Sequence, residues 1–172
     1  MIAPERSHCP ACGAALVERE LEGEGVIPYC PACAQYRFPQ YNVAVSMVVR
    51  CEATGRLLLI QQYGRKSNIL VAGYVNRGEA VEHAVARELR EETGLVPTRL
   101  RFNRTAFFEP SNTLMCNFIA FVPAEEAVCP NREIDAYGWF TPEEARAAIR
   151  PGSLAERFLL SYLDEAEDKV AR

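Results

Sequence analysis

Three carboxylates, Glu88, Glu91 and Glu92, stand in the run Gly73–Leu95, GYVNRGEAVEHAVARELREETGL. On a helix they occupy positions i, i+3 and i+4 and share one face, about one turn apart. Like charges at that spacing destabilise a helix unless a cation lies between them. Hard divalent ions such as Mg²⁺ or Mn²⁺ are the natural partners of clustered oxygens, and they can lower the pKa of a bound water. The competing reading is a solvated face on which Arg87 and Arg90 pair with the acids. The three acids alone leave both readings open.

A second constellation involves four of the seven cysteines. They fall as Cys9-x-x-Cys12 and Cys30-x-x-Cys33, separated by 17 residues, the spacing of a zinc ribbon. Each pair has Pro after its first Cys and a small residue after its second, the composition of tight knuckles that aim two thiolates at one metal. Four thiolates leave no open coordination position, so Zn²⁺ is expected to be structural. Two redox motifs or two disulfides are the rival readings. His8, next to Cys9, is not needed as a ligand. Cys51 and Cys116 sit in strand-like runs and are expected as buried free thiols; Cys129 is isolated.

These groups need elements to hold them. Residues 1–40 read as the ribbon, with a hairpin of Leu16–Glu22 and Val26–Tyr29 between the knuckles. That segment has too few apolar residues for its own core, so the metal must supply its folding energy. Residues 41–172 form the main domain, entered through the hinge Phe38-Pro39-Gln40-Tyr41. Apolar runs at Val43–Arg50, Leu57–Gln62, Ile69–Tyr74, Leu100–Phe108, Leu114–Val122 and Ala136–Phe140 predict strands. The acidic helix is expected over Glu79–Thr93, with Gly94 as its stop. Thr141-Pro142-Glu143-Glu144 is a capping box that opens a short helix, and Ser153-Leu154-Ala155-Glu156 opens another. The expected class is α+β.

Apolar residues make up 49% and charged residues 24% of the 172 residues, ordinary for a globular chain. A net charge of −4 and a pI near 5.3 speak against generic backbone-driven nucleic-acid binding. No apolar run resembles a signal peptide or a membrane span, so a cytoplasmic protein without membrane attachment is expected.

The window from Gly73 has a fixed pattern: five residues to Glu79, seven more to Arg87-Glu88-Leu89, one to Glu91-Glu92, and one to Gly94-Leu95. In this it resembles the Nudix hydrolases, which cleave a nucleoside diphosphate linked to another group. The resemblance implies an α/β/α sandwich with a mixed sheet. It implies that Glu88, Glu91 and Glu92 hold Mg²⁺ or Mn²⁺, that Arg87 pairs with a box carboxylate, and that Gly73 lets a backbone carbonyl, that of Ala72, approach the metal. Glu79 is read equally as a structural acid near the helix start and as a ligand. His83 occupies a variable position and is read as a surface or packing residue.

A zinc ribbon directly before such a domain is similar to the NAD(H) pyrophosphatase branch. Phe38-Pro39-Gln40, Val71-Ala72-Gly73-Tyr74, Glu133-Ile134, Trp139-Phe140 and Pro151-Gly152-Ser153-Leu154-Ala155 carry the likeness. It implies cleavage of NADH or NAD⁺ to the mononucleotide and AMP, a homodimer, and in some members removal of NAD caps from RNA. Glu133 becomes a further metal ligand or the base that deprotonates water. Phe38 and Tyr74 become stacking surfaces, and Ala155 a pocket wall. Arg65 and Lys66 are read as an exposed loop pair.

The chain departs from the branch's Ser-Gln-Pro-Trp-Pro-Phe-Pro platform, where it has Thr105-Ala106-Phe107-Phe108-Glu109-Pro110-Ser111. Phe108 can replace the Trp, but most of the prolines are gone and Glu109 adds an acid. ADP-ribose, another dinucleotide or a nucleotide sugar therefore stands as the alternative substrate. A Nudix-fold binding module without catalysis and a zinc-ribbon nucleic-acid binder are the readings from other classes.

Overall fold

Ten residues of β4 (Asn42–Cys51) run at the centre of a six-stranded sheet. The computed structural model describes residues 7–125 and 128–170; the opening residues 1–6 of the expected ribbon lie outside these. The chain divides into two compact units, Met1–Tyr41 and Asn42–Arg172.

In the N-terminal unit, β1 (Val17–Leu21), β2 (Gly25–Cys30) and β3 (Gln35–Tyr36) form a three-stranded antiparallel sheet. The hairpin expected between the two knuckles is present. Tyr29 and Tyr36 meet edge to face at 5.0 Å, and Arg19 lies over Tyr29 at 4.5 Å. Most of β1 is exposed, so the unit has little apolar core.

In the second unit β4 pairs in parallel with β8 (Thr113–Val122) at ten registered positions, from Asn42 with Thr113 to Cys51 with Val122. Its other edge is shared. Val49 and Arg50 pair with β5 (Leu57–Gln62), while Ala44 to Met47 pair with β6 (Val71–Tyr74). The outer strands are β7 (Arg99–Phe108) on β8 and β9 (Ile134–Phe140) on β5, both antiparallel. One parallel pair among antiparallel ones makes the sheet mixed.

Alternation along β4 sends its side chains to two faces. Val45, Met47, Val49 and Cys51 pack with Ala84, Val85 and Leu89 of α1 (Val81–Thr93). Val48 packs on the other face, with Ala145 of α2 (Pro142–Ala148) and Phe158, Leu159, Tyr162 and Leu163 of α3 (Leu154–Val170). The result is the expected α/β/α sandwich. Cys51 and Cys116 are buried free thiols, and Cys129 is an exposed one.

Helix ends follow their local chemistry. Gly94 takes φ 74° and donates its N–H to Arg90 O, stopping α1. Thr141 and Glu144 form the reciprocal capping box of α2. Helix α1 begins at Val81, two residues later than its pattern suggests. Glu79 is instead in the preceding turn, where its carboxylate accepts the Asn76 N–H at 2.9 Å. Among the described residues no helix is long and apolar enough to cross a membrane.

Candidate active site

Helix α1 delivers the box side chains to one end of the sheet. Arg87 gathers the acids around it. Its Nε and Nη2 donate to the two oxygens of Glu79 at 2.7 and 2.8 Å. Its Nη1 donates to Glu88 at 2.7 Å and to Glu91 at 3.2 Å, and Nη2 also donates to the Tyr74 carbonyl at 3.0 Å. This forked donor set is a geometry that lysine cannot reproduce. The Arg87 guanidinium and the Asn76 N–H hold Glu79 at a pKa of about 2.

Glu88 lies against β6. A β-carbon on Gly73 would overlap the Glu88 carboxyl carbon and both its oxygens. Only glycine leaves room for the carboxylate there. Val71, two residues earlier, faces the α1 side of the sheet. The intervening Ala72 and the following Tyr74 line a cavity on the α3 side. Strand β6 therefore separates the acids from the cavity.

Glu92 differs from the other acids. It is 5% exposed, and burial, with the charges of Glu88 and Glu133, raises its pKa to about 7. Gln62 donates to its Oε2 at 2.9 Å and works in the opposite direction. Glu133 reaches this neighbourhood because its loop is tied to the end of α1. Asn131 N donates to Glu92 O at 2.8 Å and Cys129 N to Thr93 O at 2.7 Å. The Tyr63 hydroxyl approaches Glu133 Oε2 at 3.4 Å. Tyr63 holds φ at 57°, a left-handed conformation costly for a bulky residue and concentrated at functional sites.

Glu88, Glu91, Glu92 and Glu133 are hard oxygen donors of the kind Mg²⁺ and Mn²⁺ take. The residues fit such a cation for a further reason: Glu92 carries carboxylates on several sides and is opposed by one neutral amide. Arg87 is already engaged with Glu79, Glu88 and Glu91. Gln62 and Tyr63 are not marked as site residues by the sequence. Gln62 ends an apolar strand and carries no motif, and nothing local marks a tyrosine for the left-handed region.

The cavity measures about 530 Å³ and is walled by β4, β6, β8 and the start of α3. Ala72, Tyr74, Phe108 and Ala155 of the expected set all line it, with Ile69, Leu70, Met115 and Phe158 as apolar wall. Phe38 belongs to the N-terminal unit and is 53% exposed. His83, Arg65 and Lys66 are exposed, as expected.

In the N-terminal unit the sulfurs of Cys9, Cys12, Cys30 and Cys33 all lie within 4.8 Å of one another. Cys9 and Cys33 are 3.9 Å apart, and Cys12 and Cys30 3.5 Å. Tetrahedral Zn–S bonds of about 2.3 Å would space sulfurs about 3.8 Å apart, so the set fits zinc. Burial opposes ionisation of Cys9, but the N–H groups of Ala11 and Cys12 and the Arg37 guanidinium outweigh it and bring its pKa to about 6. Hydrogen bonding to Cys12 and Cys30 pushes Cys33 up to about 12. Four thiolates at this distance need a cation among them. Among the described residues no other group brings three His, Cys, Asp or Glu ligand atoms so close.

Comparison with known proteins follows the same lines. Residues 40–158 match the NUDIX domain family. The chain is 29% identical over 170 residues to the NAD-capped RNA hydrolase NudC of Citrobacter koseri, covering 96% of this chain and 62% of that protein. It is 31% identical over 153 residues to the same enzyme of Photobacterium profundum, covering 87% and 55%. The chain thus spans about three fifths of the length of these curated relatives. Among solved structures, a NUDIX hydrolase from Nitrosomonas europaea superposes with a TM-score of 0.64 at 20% identity, covering 95% of this chain and 93% of that one. The NUDIX domain of Shewanella oneidensis NrtR, solved with ADP ribose, superposes at 0.60 and 17% identity over 83% and 94%. These likenesses establish the fold.

Proposed function

Because the chain belongs to the Nudix family, we propose that it hydrolyses the diphosphate of a dinucleotide such as NADH or NAD⁺, giving NMN(H) and AMP. One observation carries the reading: β6 has the box acids against one face and an apolar cavity on the other. A diphosphate at the end of this strand would have its nucleoside in the cavity and its bridging oxygen near Glu88 and Glu92.

In this reading Glu88, Glu91, Glu92, Glu133 and the Ala72 carbonyl would hold Mg²⁺ or Mn²⁺. When bound, the ions would neutralise the diphosphate and lower the pKa of the attacking water. Arg87 orients Glu88 and Glu91 and fixes the turn through Glu79 and Tyr74 O. Burial keeps Glu92 ready to take a proton near neutral pH, and Glu133 stands beside it as the second candidate base. Tyr74 and Phe108 offer stacking faces, and Ala155 keeps the wall small. Phe38 would supply a further aromatic.

By the family resemblance, the reading takes residues 1–40 as a ribbon held by structural Zn²⁺ on Cys9, Cys12, Cys30 and Cys33, and 41–172 as the hydrolase domain. It also takes a homodimer in the cytoplasm. The relatives' name extends the same bond cleavage to NAD-capped RNA. ADP-ribose is the second reading, favoured by Phe108 being the single aromatic of Thr105–Ser111 in the cavity wall, which suits a substrate with one base.

A panel of NADH, NAD⁺, ADP-ribose, diadenosine polyphosphates, nucleotide sugars and NAD-capped RNA, scored by AMP or capped-end release with Mg²⁺ or Mn²⁺, tests this. Preference for NADH or NAD⁺ is expected. Preference for ADP-ribose selects the second reading, and no hydrolysis of any member refutes both.

A further inference from the structure

A chain of two side-chain amides, one half-buried and one fully buried, crosses the sheet from α3 to the cavity. It starts at Asn103, the extra residue at the irregularity of β7 between Phe102 and Arg104. A bulge re-aims its side chain, and Asn103 Nδ2 donates to the carbonyl of Phe158 at 3.0 Å. The same Nδ2 donates to Asn117 Oδ1 at 3.0 Å. Asn117 is fully buried, and its Nδ2 donates to Ser46 Oγ at 3.2 Å. Ser46 is the register partner of Asn117 across β4 and β8.

The direction of this chain is determined from one end. A backbone carbonyl only accepts, so the Asn103 amide must present nitrogen to Phe158. Its nitrogen then also faces Asn117, which must answer with oxygen. The Asn117 nitrogen is left for Ser46, whose oxygen accepts. Asn103 Oδ1, buried without a partner, is the cost of this arrangement.

Ser46 therefore keeps its own proton. It is 4% exposed and lines the cavity, and among the described residues its hydroxyl donates no hydrogen bond, accepting only that of Asn117. The other serine and threonine hydroxyls of the cavity wall are engaged: Ser111 with Thr113, Thr113 with Ser111 O, and Ser153 with Arg150 O; the Tyr74 phenol belongs to a side chain 57% exposed, where water can serve it. A hydroxyl donor set among Ile69, Leu70, Met115 and Phe158 calls for an acceptor that arrives with the ligand.

We propose that Ser46 is a specificity-determining residue that donates a hydrogen bond to a lone-pair acceptor on the edge of the substrate's planar base, and that Asn117 and Asn103 hold it as a donor. The proposal rests on the cavity being the nucleoside pocket of the function proposed above. Asn117 and Asn103 act through Ser46 and are positioning residues.

The two product halves, AMP and NMN, serve as non-hydrolysed probes in calorimetric titration, together with 1-deaza-, 3-deaza- and 7-deaza-AMP. Ser46→Ala should weaken one half roughly tenfold, the effect of stranding one hydrogen-bonding group. If AMP is that half, one deaza analogue loses the same factor on wild type and nothing more on Ser46→Ala, which identifies the ring nitrogen. If NMN is that half, the acceptor is its carboxamide oxygen. Asn117→Asp turns the serine proton towards the new carboxylate. It should reproduce the Ser46→Ala loss, and the double variant should lose no more than either single one. A residue that only packs would add its loss.

The proposal is overturned if AMP and NMN both bind Ser46→Ala within twofold of wild type, or if AMP is the weakened half and every deaza deficit persists in that variant. Hydrolysis assays of the same proteins separate the two claims. Turnover with a neutral Ser46 removes only this proposal, while binding effects without any turnover remove only the hydrolase reading.

Discussion

Gly73 and Glu88 meet so closely that the glycine's missing side chain is the space the carboxylate occupies. The contact ties the helix that carries the acids to the strand that walls the cavity. Gly73→Ala should therefore displace Glu88 rather than unfold the sheet. Because displacement by about 1 Å can cost 10²-fold, kcat is expected to fall roughly 100-fold. Steady-state kinetics beside a circular dichroism melt checks this; a normal kcat would remove Glu88 from the metal set.

Arg87 holds Glu79, Glu88 and Glu91 through a planar fork. Arg87→Lys keeps the charge but loses the fork. Loss of such an orienting partner typically costs 10–100-fold in metal affinity or activity, so the Mg²⁺ or Mn²⁺ concentration for half-maximal rate should rise by roughly that factor. A metal titration of wild type and variant measures it.

Glu92 titrates near pH 7 in the folded protein without added divalent ion, well above an exposed glutamate. The folded state thus binds the proton more tightly than the unfolded chain. Its contribution to stability is present below the unfolded pKa of about 4.3 and is lost as pH rises through 7. Melting temperatures in ion-free buffer should decline over that window, and Glu92→Gln should flatten the decline. Added Mg²⁺ or Mn²⁺ should reverse it, because binding requires the carboxylate. Glu92→Gln should also abolish turnover while leaving the protein folded.

Removal of one thiolate should undo the ribbon. Cys30 is fully buried, and Cys30→Ser should release zinc and lose amide protection over β1 to β3, while Asn42–Cys51 stays protected. Metal analysis should find one zinc per wild-type chain in reducing buffer. No zinc in that preparation would reject the assignment.

Phe108 is 40% exposed and lines the cavity. Stacking on a base is worth about 1–3 kcal/mol by alanine substitution, so Phe108→Ala should raise KM for NADH or ADP-ribose roughly tenfold. Unchanged KM for both would place the base elsewhere.

Much of the candidate site is legible in the chain because it is local. Glu88, Glu91, Glu92 and Arg87 sit within one helix, where a fixed turn converts spacing into a shared face. Cys9, Cys12, Cys30 and Cys33 come as two tight pairs. The strands show as apolar runs whose ends differ from the observed ones by up to two residues. The later start of α1 is not legible in the chain, because Glu79 looks like a first-turn acid yet serves Arg87 and the turn before the helix.

What escaped is non-local. Gln62 touches Glu92 across 30 residues, and Tyr63 reaches Glu133 across 70. Asn103, Asn117 and Ser46 come from three strands, and none is unusual by itself. The sequence alone determined which carboxylates share a helix face and which thiols form knuckles, because helix and knuckle geometry is periodic and needs no partner. Only the tertiary structure decided where β6 divides acids from cavity, which carboxylate is buried enough to hold a proton near pH 7, and which hydroxyl faces the ligand as a donor. Those properties depend on strand order, burial and the direction of a hydrogen-bond chain, and these exist only once distant segments have packed.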